Sequence, residues 1–349
     1  MRTRVVIGTC VVMVVLALAN LFPGHAQKAV NQAAQPETRA SDAAQGGREK
    51  GLPLIRDESA RFNPLKIALL HWYLANTTTF VNVSGQPYGV CFDGANVWTA
   101  NYGDNTVTKV RANDGAVLGT FKVGAQPYGV TFDGANIWAS NELDNTVTKL
   151  RASDGKVLGT FAAGTYPGWM AFDGQSLWIP NAPSSQLGSV TKLRASDGKI
   201  VGNFPVGNAP IAAAFDGANV WVTNNGANTV TKLRASDGTV LGTFTVGYNP
   251  LGVAFDGANV WVANRGDGTV TKLRASDGTV LGTFSAPNGP YGVVFDGTYI
   301  WVSGDIHSFV FRASDGAMVA SWLLQSQGVA FDGAYIWTAA ENSDALYKF

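Results

Sequence analysis

The stretch Phe255-Asp256-Gly257-Ala258-Asn259-Val260-Trp261 recurs, with small changes, seven times in the chain. Its Phe stands at Phe92, Phe132, Phe172, Phe215, Phe255, Phe295 and Phe331. A Trp follows six residues after each, from Trp98 to Trp337, and the intervals are 40, 40, 43, 40, 40 and 36 residues. A fixed period near forty means that one supersecondary unit is built repeatedly and stacked on itself. In the unit from Gly252 to Gly289, four runs have strand length and β-branched or aromatic content: Gly252–Phe255, Asn259–Asn264, Thr269–Arg274 and Val280–Phe284. Asp256-Gly257 and Asp277-Gly278 separate them as hairpin turns, in which Gly takes positive φ without steric cost. One repeat is therefore four antiparallel strands, a to d.

The chain ends distinguish a closed ring from stacked sandwiches. The seventh unit stops at Ala345–Phe349, which matches strand c, and its strand d is missing. Ahead of the first unit, Thr78-Thr79-Phe80-Val81-Asn82-Val83 followed by Gly85-Gln86-Pro87-Tyr88-Gly89 reads like Gly119–Gly129. An N-terminal strand d that completes a C-terminal a-b-c blade closes a ring and leaves only short, protected edges. The expectation is an all-β, seven-bladed β-propeller over residues 77–349, with the tryptophans packed between blades.

Val262-Ala263-Asn264, Gly268-Thr269-Val270-Thr271, Ser276-Asp277-Gly278 and Val246-Gly247-Tyr248-Asn249-Pro250 resemble the YVTN-type repeat of surface-layer and YncE-like propellers, with NHL-type repeats the nearest similar pattern. The resemblance covers 77–349. It implies the propeller fold and no shared catalytic motif. The chain departs from that family in writing Phe-Asp-Gly-Ala-Asn where a Pro-Asp-Gly turn is usual, and in its 36-residue sixth interval.

Residues 1–26 read as an export signal. Arg2 and Arg4 precede an apolar run from Val5 to Phe22, and Gly24-His25-Ala26 sets small residues at a cleavage site. The alternative is an uncleaved membrane anchor, although a spanning helix needs roughly 20 residues. Residues 27–61, rich in Ala, Gln, Ser, Gly and charge, read as a flexible linker. Within 62–76, Asn63-Pro64 starts a short helix, 64–75, apolar on most faces and expected to pack on the propeller near its last blade, or to serve a dimer contact. Either leader reading puts the propeller outside the cytoplasm, as a periplasmic or secreted domain, or one held at a membrane by that leader alone.

Net charge is zero but divided: residues 1–76 carry nine basic and five acidic side chains, the remainder 16 and 20. A mildly acidic propeller disfavours broad nucleic-acid binding, which needs a basic face. Cys10 lies in the leader and Cys91 is alone in strand a of the first blade, so it reads as a small buried hydrophobe.

Both hairpins of every blade fall on one face, the bottom. The b–c loops and d–a connections fall on the top. The bottom turns hardly vary between blades, and their seven aspartates are accounted for by turn chemistry without a metal. The top loops do vary, and loops on a rigid scaffold are where sites usually sit. Asp104, Glu142, Asp144, Asp267, Asp305, Glu341 and Asp344 stand there against Arg265. A cation could bind them, but Asp104 and Asp144 also suit turns entering strand c, and no spacing matches a dedicated oxygen cage. No cofactor motif is present.

Ser303, Asp305 and His307 are the residue types of a hydrolase triad. At a spacing of two along a strand they stand side by side, ~6–7 Å apart, rather than in a hydrogen-bonded line. Streptogramin lyases are also seven-bladed. Likeness to them would imply a histidine pair with a Glu and Mg²⁺, whereas His25, His71 and His307 are the only histidines here and no two can meet at the channel mouth.

One residue per blade, just after the Pro or its equivalent, should reach that mouth: Tyr88, Tyr128, Gly168, Ile211, Leu251, Tyr291 and Gln327, with Trp169 following Gly168. The candidate site is Tyr88, Tyr128, Trp169 and Tyr291, with Asp104 and Asp144 as polar partners. The competing role for each aromatic is to cover the seam to the next blade. The leading expectation is a non-enzymatic scaffold binding a protein, peptide or glycan of the cell envelope. A propeller hydrolase or lyase, or a purely structural envelope protein, are the alternatives.

Overall fold

The structure is a computed structural model that describes residues 79–183 and 187–349. The leader, the linker and the expected helix 64–75 lie outside the described residues. Seven four-stranded antiparallel sheets run in the order a-b-c-d, giving the seven-bladed propeller. In the fifth blade the strands are Pro250–Phe255, Asn259–Asn264, Thr269–Arg274 and Val280–Ser285. The seventh blade is completed by Thr79–Asn82, which pairs antiparallel with Ala345–Lys348 in the register Thr79↔Lys348 to Asn82↔Ala345.

The bottom turns are fixed by their own side chains. Asp256 Oδ1 accepts from the backbone N–H groups of Ala258 at 2.9 Å and Asn259 at 2.6 Å, while Gly257 takes φ +97°. Asp256 Oδ2 accepts the Trp261 indole N–H at 2.7 Å, and an equivalent bond occurs in all seven blades. In the c–d turn, Arg274 pairs with Asp277 at 3.0 Å, an exposed ion pair of small energetic weight.

Each seam between blades repeats one grip. Trp221 of blade four is fully buried against Val260, Val262, Leu273 and Ala275 of blade five. Lys232 lies over the Trp221 ring, 5.1 Å from its centroid, and donates to the carbonyls of Ala275 at 2.7 Å and Ser276 at 3.1 Å. Phe244 packs on Gly278, where a Cβ would overlap its ring. The same lysine tie joins blades one to two, two to three, three to four and five to six. Lys348 makes it across the closing seam, to Ala112 O at 2.6 Å.

The seam from blade six to blade seven is different for a topological reason. Blade seven takes its strand d from the other end of the chain, so it has no c–d turn to present carbonyls to a lysine. Val310 stands at the lysine position, opposite Trp301. Trp322 replaces the strand-d Phe and packs on Trp301 and on Phe349, with ring centroids 5.7 and 5.3 Å apart. The 36-residue interval leaves blade six with all four strands. Two residues are lost from the b–c loop, between Gly304 and His307, and two from the d–a connection after Leu323.

Candidate site at the top mouth of the channel

Strands a line the central axis and approach closely. A Cβ on Gly89 would stand 2.6 Å from Tyr128 O of the next blade, so only glycine permits that spacing. The channel below the mouth has a volume of about 170 Å³, lined by residues such as Val130, Trp169, Ala212, Gly252 and Val293. A water occupies about 30 Å³ in the liquid, so the channel has room for a few waters.

The four aromatic residues expected there come together. Tyr128 stacks on Trp169 at 5.4 Å between centroids, Trp169 meets Tyr291 edge-on at 5.5 Å, and Tyr88 lies 5.3 Å from Tyr128. The hydroxyls of Tyr128 and Tyr291 are 3.1 Å apart, so blades two and six touch across the mouth. Tyr102 adds a fifth ring, 5.0 Å from Tyr88. Seam covering alone does not require a contact that crosses the axis. Tyr88, Tyr102, Tyr128 and Trp169 remain half-buried and thus reachable from solvent.

Asp104 and Asp144 are engaged by the backbone instead. Asp104 Oδ2 accepts from Gly85 N and Asp144 Oδ2 from Ala125 N, both at 2.7 Å, and Asp267 does the same for Tyr248 N at 2.6 Å. In blades one, two and five these carboxylates pin the connection that leads into strand a of their own blade.

The polar groups nearest the aromatics occupy a second repeat position, the residue just after strand b. Around the ring it reads Tyr102, Glu142, Ala182, Asn225, Arg265, Asp305 and Glu341. In blades one to six its backbone N–H is bonded to the d–a connection, as in Tyr102 N to Gln86 O and Glu142 N to Gln126 O, both 2.9 Å, which holds it beside the first position. The Tyr102 hydroxyl faces Glu142 and that of Tyr88 faces Glu341. Burial, then Glu142, pushes the Tyr102 phenol up to about 12. Burial raises Glu142 above the usual carboxylate range, partly offset by the Tyr102 hydroxyl. On the opposite side Arg265 pairs with Asp305 at 2.9 Å and lies 5.7 Å from the Tyr291 ring centroid. Glu142 and Glu341 are among the top-face acids legible in the sequence, and the variation of this position from blade to blade is the signal that singles out Tyr102 beside them.

Solved structures share the fold. This chain is similar to Kuenenia stuttgartiensis hydrazine synthase, with TM-score 0.67 and 15% identity over 76% of this chain and 96% of that one. It is similar to streptogramin B lyase, with TM-score 0.67 and 16% identity over 78% and 96%. It is also similar to a functionally unknown protein from Desulfotomaculum acetoxidans DSM 771, with TM-score 0.64 and 16% identity over 73% and 92%. At these identities the likeness establishes the seven-bladed architecture alone. No protein-family model matches the chain, and no curated protein does.

The hydrolase constellation is dispersed. Ser303 Oγ donates to Gln327 O, Asp305 takes Arg265, and His307 Nδ1 lies 3.2 Å from Asn288 Nδ2. Among the described residues His307 is the only histidine, and no three His, Cys, Asp or Glu side chains are grouped to hold a metal ion. Cys91 packs against the Trp98 cluster, and burial pushes its thiol up, away from thiolate reactivity.

Proposed function

We propose that this chain is a non-enzymatic, extracytoplasmic binding module that recognises a protein, peptide or glycan of the cell envelope at the top mouth of its propeller. The observation that carries the reading is the meeting of Tyr88, Tyr128, Trp169 and Tyr291, from four blades, at repeat positions that vary while the folding positions do not. Rigid amphipathic rings with polar tips, beside carboxylates and above a small channel, make a shallow recognition surface. The extracytoplasmic setting rests on the leader sequence.

The test is a screen of immobilised envelope glycans and short peptides with the wild-type protein and with a Tyr128→Ala, Trp169→Ala, Tyr291→Ala variant of verified fold. Retention of one ligand class by the wild type, and its loss in the folded variant, is expected. A folded variant that retains every ligand of the wild type would place recognition elsewhere.

A further inference from the structure

The closing seam lacks a part that the other six seams have. In blades one to five the buried Trp is covered by a Phe from strand d of its own blade, with ring centroids 5.5–5.7 Å apart. In blade six Trp322 covers Trp301 at 5.7 Å. In blade seven the register puts Val81 at that place, opposite Leu346 as Phe121 is opposite Val107. Among the described residues Trp337 has no such ring over it. A hollow of about 500 Å³ opens there instead, lined by Phe80, Val81, Val117, Tyr335, Trp337 and Phe349 among others.

The missing c–d turn leaves a second hollow on the other side of the same blade. It measures about 570 Å³, and Trp301, Phe331 and Ile336 contribute to its walls. Tyr335 and Phe349 line both hollows, so one largely apolar groove crosses the bottom of blade seven.

The chain itself indicates what covers this groove. Thr79 begins strand d at the groove's own wall. Only residues 76–78 separate it from the apolar segment 64–75, which carries Leu65, Ile67, Leu69, Leu70, Trp72 and Tyr73. Four residue steps reach at most roughly 14 Å, so the end of that segment is confined to the neighbourhood of the groove.

We propose that segment 64–75 lies in this groove, in the place of the missing c–d turn, and sets the ring of Trp72 or Tyr73 where the other blades have Phe. Burial of its apolar side chains against Tyr335, Phe349 and Val117 drives the docking. The segment thereby seals the seam at which the ring closes. The same segment of a second copy competes poorly, because so short a tether gives the local one an effective concentration on the order of millimolar.

The experiment is hydrogen exchange read by mass spectrometry on the full chain. Its variants are Val117→Asp, Val157→Asp, and Trp72→Ala combined with Tyr73→Ala. Val117 and Val157 hold the same position in blades one and two and are 49% and 44% exposed, so an empty groove would tolerate a charge at either one alike. In the parent, amides of 64–75 should exchange at least about tenfold more slowly than those of a synthetic peptide of the same sequence. Val117→Asp should abolish that protection and Val157→Asp should leave it, with exchange in blades three to five unchanged in both. The double aromatic variant makes the same test from the other partner and should also lose the protection. Dilution should leave the parent's protection intact, with a monomeric mass by sedimentation. An unprotected segment in the parent, or protection that survives Val117→Asp, would overturn the proposal. Protection that fades on dilution as a dimer dissociates would overturn it in favour of a second copy.

Discussion

Asp216 and Trp221 illustrate how a turn residue and a seam residue become one unit. The Trp221 indole N–H donates to Asp216 Oδ2 at 2.8 Å, and the ring is wholly buried between blades. Trp221→Ala should cost about 3–5 kcal/mol, since it opens a cavity in a close-packed seam. Trp169 is half-buried at the mouth, and Trp169→Ala should cost only about 1–2 kcal/mol on area grounds. Urea titration of the two variants checks the contrast, and equal losses would make Trp169 a scaffold residue. Acid should reveal the same turns. Burial opposes ionisation of Asp133, Asp216 and Asp256, but the indole and backbone N–H bonds outweigh it and hold their carboxyls below the usual range. A carboxylate whose folded pKa is depressed adds stability that is fully present above its unfolded value, near pH 4, and is lost as pH falls through the folded value. The urea midpoint should therefore decline below about pH 4, and less steeply in Asp216→Asn. A midpoint unchanged from pH 5 to pH 3 would remove these bonds from the account.

At the scale of elements, the strand pattern, the hairpins and the closing strand are all legible in the sequence, because each is a local signal repeated seven times. The lysine of strand c recurs in six of the seven blades, yet its purpose is not legible. Lys232 serves the turn of the next blade, 43 residues onward, and no local pattern announces that. Blade six shows the logic by omission, with Val310 where the next blade offers no turn. Of the site, the position after the Pro could be read because it follows a fixed landmark. Glu142 and Glu341 could be read only as top-face charges, and Tyr102 only by comparing the residue after strand b from blade to blade, since nothing local says that this position lies beside the axis. Asp104 and Asp144 stood out by charge, but a carboxylate before a tight turn is drawn first to unpaired backbone N–H groups. Two substitutions test the seam. Lys232→Met should cost about 1–3 kcal/mol, as the buried carbonyls of blade five lose a charged donor. Gly278→Ala forces a Cβ into Phe244 at φ +78° and should cost at least ~1–2 kcal/mol through overlap and backbone strain together. Calorimetry that finds both variants as stable as the parent would mean that the blades are not held by this grip.

For the whole molecule, ring closure assembles the site. Tyr291 of blade six reaches Tyr128 of blade two only because the blades close around one axis, and one four-residue strand, Thr79–Asn82, completes the last of them. Without it, Leu346 and Tyr347 present an unpaired edge, and the Lys348 tie to Ala112 loses its support. The leader reading makes its own prediction: mature protein recovered from the producing cell should begin near Gln27, and an intact mass that retains residues 1–26 in a membrane fraction would establish the anchor instead. The most direct measurement of the central claim compares two purified chains, one beginning at residue 77 and one at residue 85, by calorimetric unfolding. The longer chain should unfold in one sharp transition. The shorter one should unfold at lower temperature, over a broader range, or aggregate. If the two melt at the same temperature with the same sharpness, the ring is not closed by this strand, and the mouth does not depend on its closure.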